Sequence, residues 1–313
     1  MKNPATRSGL YALIATLALT ACTTNPQVVR PGQSIQAVDK ETSDLADVTA
    51  DTLKLIAITG NKNILVVFDI DNTLLAMEQG LGSDQWYEWQ KHLSEQDQCN
   101  PRNVGERFAV QGALYFVSAM RLTQDDGAAQ VKAIQDQGVA VIALTSRGMG
   151  YQLQTFRELR RNNLNFSYSA IGSEGGFNEP FIPVTNGRLS LYQDGVFLTS
   201  GQHKGHMLYA LLEKTGTPLP GVIVMTDDKQ ENLDAIKETF SALNIPVRAW
   251  RYTGEDQNVR EFNPEQADAQ WNAIDDALRQ IQQTMGPDNY DLSGAALPPE
   301  CDQPLSSPSG PGD

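Results

Sequence analysis

Four short, almost unbroken apolar runs stand out along the chain, at residues 63–69, 139–145, 221–227 and 247–252. A run without polar alternation predicts a strand covered on both faces, because both sets of its side chains must then avoid water. Elsewhere apolar residues recur at helical spacing, as do Leu45, Val48, Leu53 and Ile56 within residues 42–58. The same spacing predicts helices at about 130–137, 152–161, 206–214, 231–243 and 264–285. Buried strands alternating with helices predict an α/β fold: a three-layer, Rossmann-like domain with a parallel sheet over residues 42–285.

Between the first and second runs the chain carries no strand pattern but two helical ones, near 83–95 and 106–122. This predicts an inserted helical cap over about residues 76–125. A second excursion, about 168–200, contains turn chemistry and predicts a hairpin around Asp194-Gly195. Residues 286–313 are rich in Pro, Ser and Gly and predict a loosely ordered tail.

The N-terminus addresses location rather than fold. Lys2 and Arg7 precede a short apolar stretch, residues 10–19, which ends at Leu19-Thr20-Ala21-Cys22. The stretch is shorter than the ~20 residues a membrane-crossing helix needs, so residues 1–21 read as a signal peptide. The four residues at its end resemble the lipobox of bacterial lipoproteins, which implies acylation of Cys22 and a tether over residues 22–41. A Thr rather than an Asp at position 23 resembles the outer-membrane sorting pattern. The expected location is the cell envelope, on the outer membrane facing the periplasm, with the lipid as the only membrane contact. The 313-residue chain is 40% hydrophobic, ordinary for a globular protein, which excludes disorder throughout. Its formal charge of −14 argues against a nucleic-acid partner, which would need clustered Lys and Arg.

The strongest chemical signal is Asp69-Ile70-Asp71-Asn72-Thr73 at the carboxyl end of the first run. In an open α/β sheet ligands bind outside the carboxyl ends of the strands. A turn there lets two carboxyl groups face one phosphate, one attacking phosphorus and the other moving protons. Downstream, in order, come Thr145 at the end of the second run, Lys204 at a helix start, and Asp227-Asp228 at the end of the third run.

These four elements resemble the four motifs of the haloacid dehalogenase superfamily, over about residues 63–252, and Leu81-Gly82-Ser83 with Trp86 further resembles an exported, acid-phosphatase-like lipoprotein branch of it. The resemblance implies Asp69 as nucleophile, Asp71 as general acid and base, Thr145 as a donor to the phosphoryl group, and Lys204 as the group that neutralises it. It further implies Mg²⁺ held by Asp69, the backbone carbonyl of Asp71 and Asp227, with Asp228 a second ligand or the residue that orients Lys204. An acid at position 71 implies phosphate-ester hydrolysis or phosphoryl transfer, and the expected reaction is hydrolysis of a small phosphomonoester. The alternatives are transfer of the phosphoryl group to an alcohol, or a binding or assembly protein that keeps the fold without turnover.

Weaker candidates carry two readings each. Trp86, Tyr87 and Trp89 are a substrate clamp or cap packing. Arg147 contacts a phosphate or makes a surface ion pair. His203 and His206 are metal ligands or exposed helix residues, and Arg157, Arg160 and Arg161 form the outer face of a helix. With Cys22 acylated, Cys99 and Cys301 remain, and an oxidising compartment favours a disulfide between them over two separate thiols.

Overall fold

The structure, a computed structural model, describes residues 35–105, 107–172, 179–285 and 301. The expected signal peptide, Cys22 and most of the tether lie outside these residues, as does the tail apart from Cys301. In chain order the elements are β1 (Val38–Thr42), α1 (Leu45–Thr59), β2 (Ile64–Phe68), β3 (Leu75–Met77), α2 (Asp84–Gln96) and α3 (Arg107–Val117). Then come β4 (Met120–Leu122), α4 (Gly127–Gln135), β5 (Ala140–Thr145), α5 (Gln152–Arg161), β6 (Leu191–Gln193) and β7 (Val196–Leu198). The chain continues through α6 (Lys204–Thr215), β8 (Val222–Asp227), α7 (Gln230–Ser241), β9 (Val247–Tyr252), α8 (Asp256–Arg260) and α9 (Pro264–Met285).

Seven strands form one sheet in the order β1-β9-β8-β2-β5-β7-β6, parallel except for β6, which turns back on β7. Alternate side chains of each apolar run enter opposite cores. Val66, Phe68, Val141 and Val224 pack with Leu45, Val48, Val131 and Leu159 of α1, α4 and α5. Leu65, Val67, Ile142 and Ile223 pack with Leu208, Leu212, Leu233 and Phe240 of α6 and α7. The result is the three-layer α/β arrangement. The β6–β7 turn is Asp194-Gly195, both with positive φ (48° and 77°), the geometry that a two-residue hairpin matched to strand twist requires.

Three expectations change. The tether does not run to residue 41, because β1 begins at Val38 and pairs with β9 from Val38↔Arg248 to Thr42↔Tyr252. Its sequence, Val-Asp-Lys-Glu-Thr, carries no apolar signal because it is an edge strand whose middle residues face water. The cap insertion is not free of strands: β3 and β4 pair antiparallel at its base, Leu75 opposite Leu122 and Met77 opposite Met120. Correspondingly the second cap helix ends at Val117 rather than near 122. Residues 120–122 follow a helical period locally, but pairing with β3 satisfies their backbone in an extended form.

The cap has its own core, in which Trp86, Val110 and Leu114 pack with Ala267 of α9 and, more loosely, with Trp271. Arg102 binds Asp268 of α9, and Cys99 is bonded to Cys301. The cap is thus fastened to the C-terminal segment on one side and to the sheet by the β3–β4 neck on the other. Among the described residues no helix is long and apolar enough to cross a membrane.

Candidate functional site

The central strand β2 sets the site. Its register, Phe68↔Thr226 on one side and Phe68↔Ala143 on the other, brings the next residue, Asp69, beside the ends of β8 and β5. The Asp69 amide extends the ladder by donating to the Thr226 carbonyl at 2.9 Å. Chain order steps from β2 to β5 and β7 on one side and later to β8 and β9 on the other, so the β2–β8 boundary is where the winding reverses. That is the crevice where open α/β sheets bind ligands.

After Asp69 the chain coils around one carbonyl: the amides of Thr73, Leu74 and Leu75 all donate to Ile70. Asn72 takes a φ of 56°, a left-handed conformation that Asn tolerates better than most residues. The tight loop keeps Asp69 and Asp71 at the same edge of the sheet while Ile70 and Leu74 enter the core.

Lys204, 2% exposed, joins the two strand ends. Its ammonium donates to Asp69 Oδ1 at 2.5 Å and to Asp227 Oδ2 at 2.6 Å. Of the two roles considered for Asp228, orienting Lys204 therefore falls to Asp227 instead. Lys204 opens α6, whose N-cap is His203: its Nδ1 accepts from the His206 amide, and the two rings stack at 4.1 Å. The two histidines thus have a structural task in placing Lys204. Gly205 allows α6 to approach α7, since a Cβ there would lie 2.1 Å from the Ala235 carbonyl oxygen. Asp227 is fixed from behind, its Oδ1 accepting from the Lys229 amide and from Asn232 Nδ2, each at 2.9 Å.

One carboxylate oxygen each from Asp69, Asp227 and Asp228 lies within 4.8 Å of the others. Burial, against the pull of Lys204 and with the push of Asp227, drives the Asp69 carboxyl up to about 7. Burial and Asp227 likewise push Asp228 well above the usual carboxylate range. Three carboxylates against one ammonium leave negative charge in a buried all-oxygen setting, which fits a hard divalent cation such as Mg²⁺. The Asp71 carboxylate stands outside this cluster.

Asp71 is engaged by Arg147, which donates from Nε to Oδ2 at 2.9 Å and from Nη2 to Oδ1 at 2.8 Å. The Tyr115 hydroxyl of the cap donates to Oδ1 at 2.7 Å. Burial favours the neutral acid, but the guanidinium's charge and hydrogen bonds outweigh it and hold Asp71 below the usual range. Arg147 is 3% exposed, its Nη1 reaches the Thr155 hydroxyl at 2.9 Å, and Tyr115 lies under the guanidinium at 4.7 Å. Neither a surface ion pair nor a freely available phosphate ligand describes it. Thr145 is buried at the end of β5, and its Oγ1 accepts the Arg147 amide at 3.2 Å.

Residues 41–283 match the model of a family described as "Protein of unknown function (DUF2608)". The chain belongs to this family. The match runs from the end of β1 into α9, so the DUF2608 region contains strands β2 to β9, the cap and every site residue described above. No curated protein matches the chain.

The structure adds residues that the sequence did not single out. Tyr115 hides in an ordinary cap-helix pattern. Lys229 bridges core and cap, 3.0 Å from Asp84 and 2.7 Å from Glu88 of α2. Of the aromatic trio, Trp86 is 1% exposed within the cap core, and Trp89 packs against Phe262 and Arg102. Only Tyr87 faces the space beside Asp71. Arg157 is not simply an outer-face residue: it donates to the Tyr115, Phe116 and Ser118 carbonyls at the end of α3, tying α5 to the cap.

Proposed function

We propose that this chain is a Mg²⁺-dependent phosphomonoester hydrolase of the haloacid dehalogenase type, working through an aspartyl-phosphate. The observation that carries the reading is the buried Lys204 shared by Asp69 and Asp227 at the winding reversal, with Asp71 two residues further on. Asp69 would attack phosphorus while the bond to the leaving oxygen breaks, and Asp71 would supply the proton that oxygen takes. Asp71 would then remove a proton from water as the water attacks the aspartyl-phosphate, freeing inorganic phosphate and restoring Asp69. Lys204 offsets phosphoryl charge and holds Asp69 in place, and Thr145 donates to a phosphoryl oxygen. Asp69, Asp227 and Asp228 would hold the metal, which when bound reduces the repulsion between a carboxylate and a phosphate dianion.

A binding or assembly role without turnover draws support from one observation: Arg147 and Tyr115 occupy both Asp71 oxygens. That clamp keeps Asp71 ionised, which opposes the acid step, and lowers its proton affinity, which weakens the base step. Phosphate release from a generic aryl phosphate separates the two readings. The expected result is turnover with Mg²⁺, loss with EDTA, and at least a ~10³-fold loss in Asp69→Asn. Wild-type turnover by Asp69→Asn, or chelator-insensitive turnover, overturns the enzyme reading, and an added alcohol acceptor tests for phosphoryl transfer. We also propose an envelope location with Cys22 acylated, which loss of membrane association in Cys22→Ser would support.

A further inference from the structure

Beside Asp71 a cavity of about 100 Å³ opens between cap and core. Its wall is a chain of rings: Tyr87 meets Phe108 edge-on at 6.2 Å, Phe108 meets Tyr151 at 5.0 Å, and Tyr151 meets Tyr115 at 5.2 Å. The tyrosine hydroxyls deepest in the wall are already used, Tyr115 on Asp71 and Tyr151 on the Phe108 carbonyl and Gln111. What they leave to a ligand is ring surface. Phe108 is 38% exposed, so part of its ring is open to a ligand. It stands against Gly148 of the loop after β5, where a Cβ would come within 2.8 Å of the ring.

At the rim Asp84 and Glu88 bind Lys229, Glu88 also binds Lys91, and Arg107 lies over the Tyr87 ring at 5.4 Å, so carboxylates and cations stand there together. Volume sets the last limit, since pockets for drug-sized ligands run to roughly 300–1,000 Å³. At about 100 Å³ the cavity falls well below that range, which favours a small leaving group.

We propose that this cavity is the leaving-group site, and that the chain selects monoesters of a single-ring, phenol-type alcohol. The inference rests on the phosphohydrolase reading for its reaction but not for its binding test. That test is calorimetric titration of the full mature protein with Mg²⁺ present, using phenylphosphonate and methylphosphonate. Phenylphosphonate is expected to bind about tenfold more tightly than methylphosphonate, as ring contacts and apolar burial allow. Phe108→Ala, at a partly exposed position, should bring phenyl and methyl affinities within about threefold, and Tyr87→Ala should act in the same direction.

Equal affinity for phenyl and methyl ligands, or no binding of either phosphonate, would overturn the proposal. Preferred phenylphosphonate binding without hydrolysis of phenyl phosphate would leave the cavity assignment standing and remove the phosphatase reading. Hydrolysis of phenyl and glycerol phosphates with equal kcat/KM would do the reverse.

Discussion

Arg147 and Asp71 face one another through two parallel hydrogen bonds, 2.9 and 2.8 Å long, in a setting where the arginine is almost wholly buried. This fork geometry is the strongest way a guanidinium can hold a carboxylate. Here it fixes the direction of a residue that lies one turn beyond the sheet edge.

Removing one partner of such a pair strands the other. Arg147→Met should lower unfolding free energy by about 3–5 kcal/mol, while Asp71→Asn combined with Arg147→Met should recover a large part of that loss. Urea denaturation of the single and double variants measures both. A single-variant loss below about 1 kcal/mol would mean that the pair is effectively solvated.

Asp69 gives a pH signature. Its carboxyl titrates at about 7 in the fold but near ~3.9 in an unfolded chain. Between those values the folded state binds more protons, so this group's contribution to stability falls as pH rises and is least above about 7. Burial of Asp228 acts in the same direction. In EDTA the urea midpoint should therefore decline from about pH 5 to about pH 7.5, and less steeply in Asp69→Asn. Mg²⁺, binding the ionised carboxylates, should flatten the decline. An unchanged slope in Asp69→Asn would show that the charge is accommodated without cost.

Cys99 and Cys301 are bonded across 202 residues with Cα atoms 5.2 Å apart, and the bridge secures the C-terminal segment to the cap. Closing so long a loop destabilises the unfolded chain by about 5 kcal/mol in the entropy model. Cys99→Ser with Cys301→Ser should lose up to that amount in urea denaturation. Thiol titration of the denatured, unreduced mature protein should find no free cysteine, and two free thiols would refute the bridge.

The sequence by itself determined the layers and the strand ends. Residues 64–68, 140–145 and 222–227 are apolar on both faces, a pattern that only a strand between two helical layers satisfies. Because Asp69, Thr145 and Asp227 close those runs, their gathering at one edge follows from parallel pairing alone. Lys204 was legible as a helix start for the same local reason. Only the tertiary structure decided which charges meet. Arg147 sits two residues past Thr145, and nothing local distinguishes a guanidinium that turns out to solvent from one that folds back 76 positions to Asp71. Tyr115, Asp84 and Glu88 gain their contacts only when the β3–β4 neck folds the cap onto the core, and that pairing depends on residues with no strand pattern of their own. β1 was likewise invisible, since an exposed edge strand is stabilised by its neighbour's backbone rather than by its own side chains. Hydrophobic periodicity records burial, residue by residue. Ion pairing and edge pairing depend on what approaches from elsewhere in the chain, and that is fixed by packing.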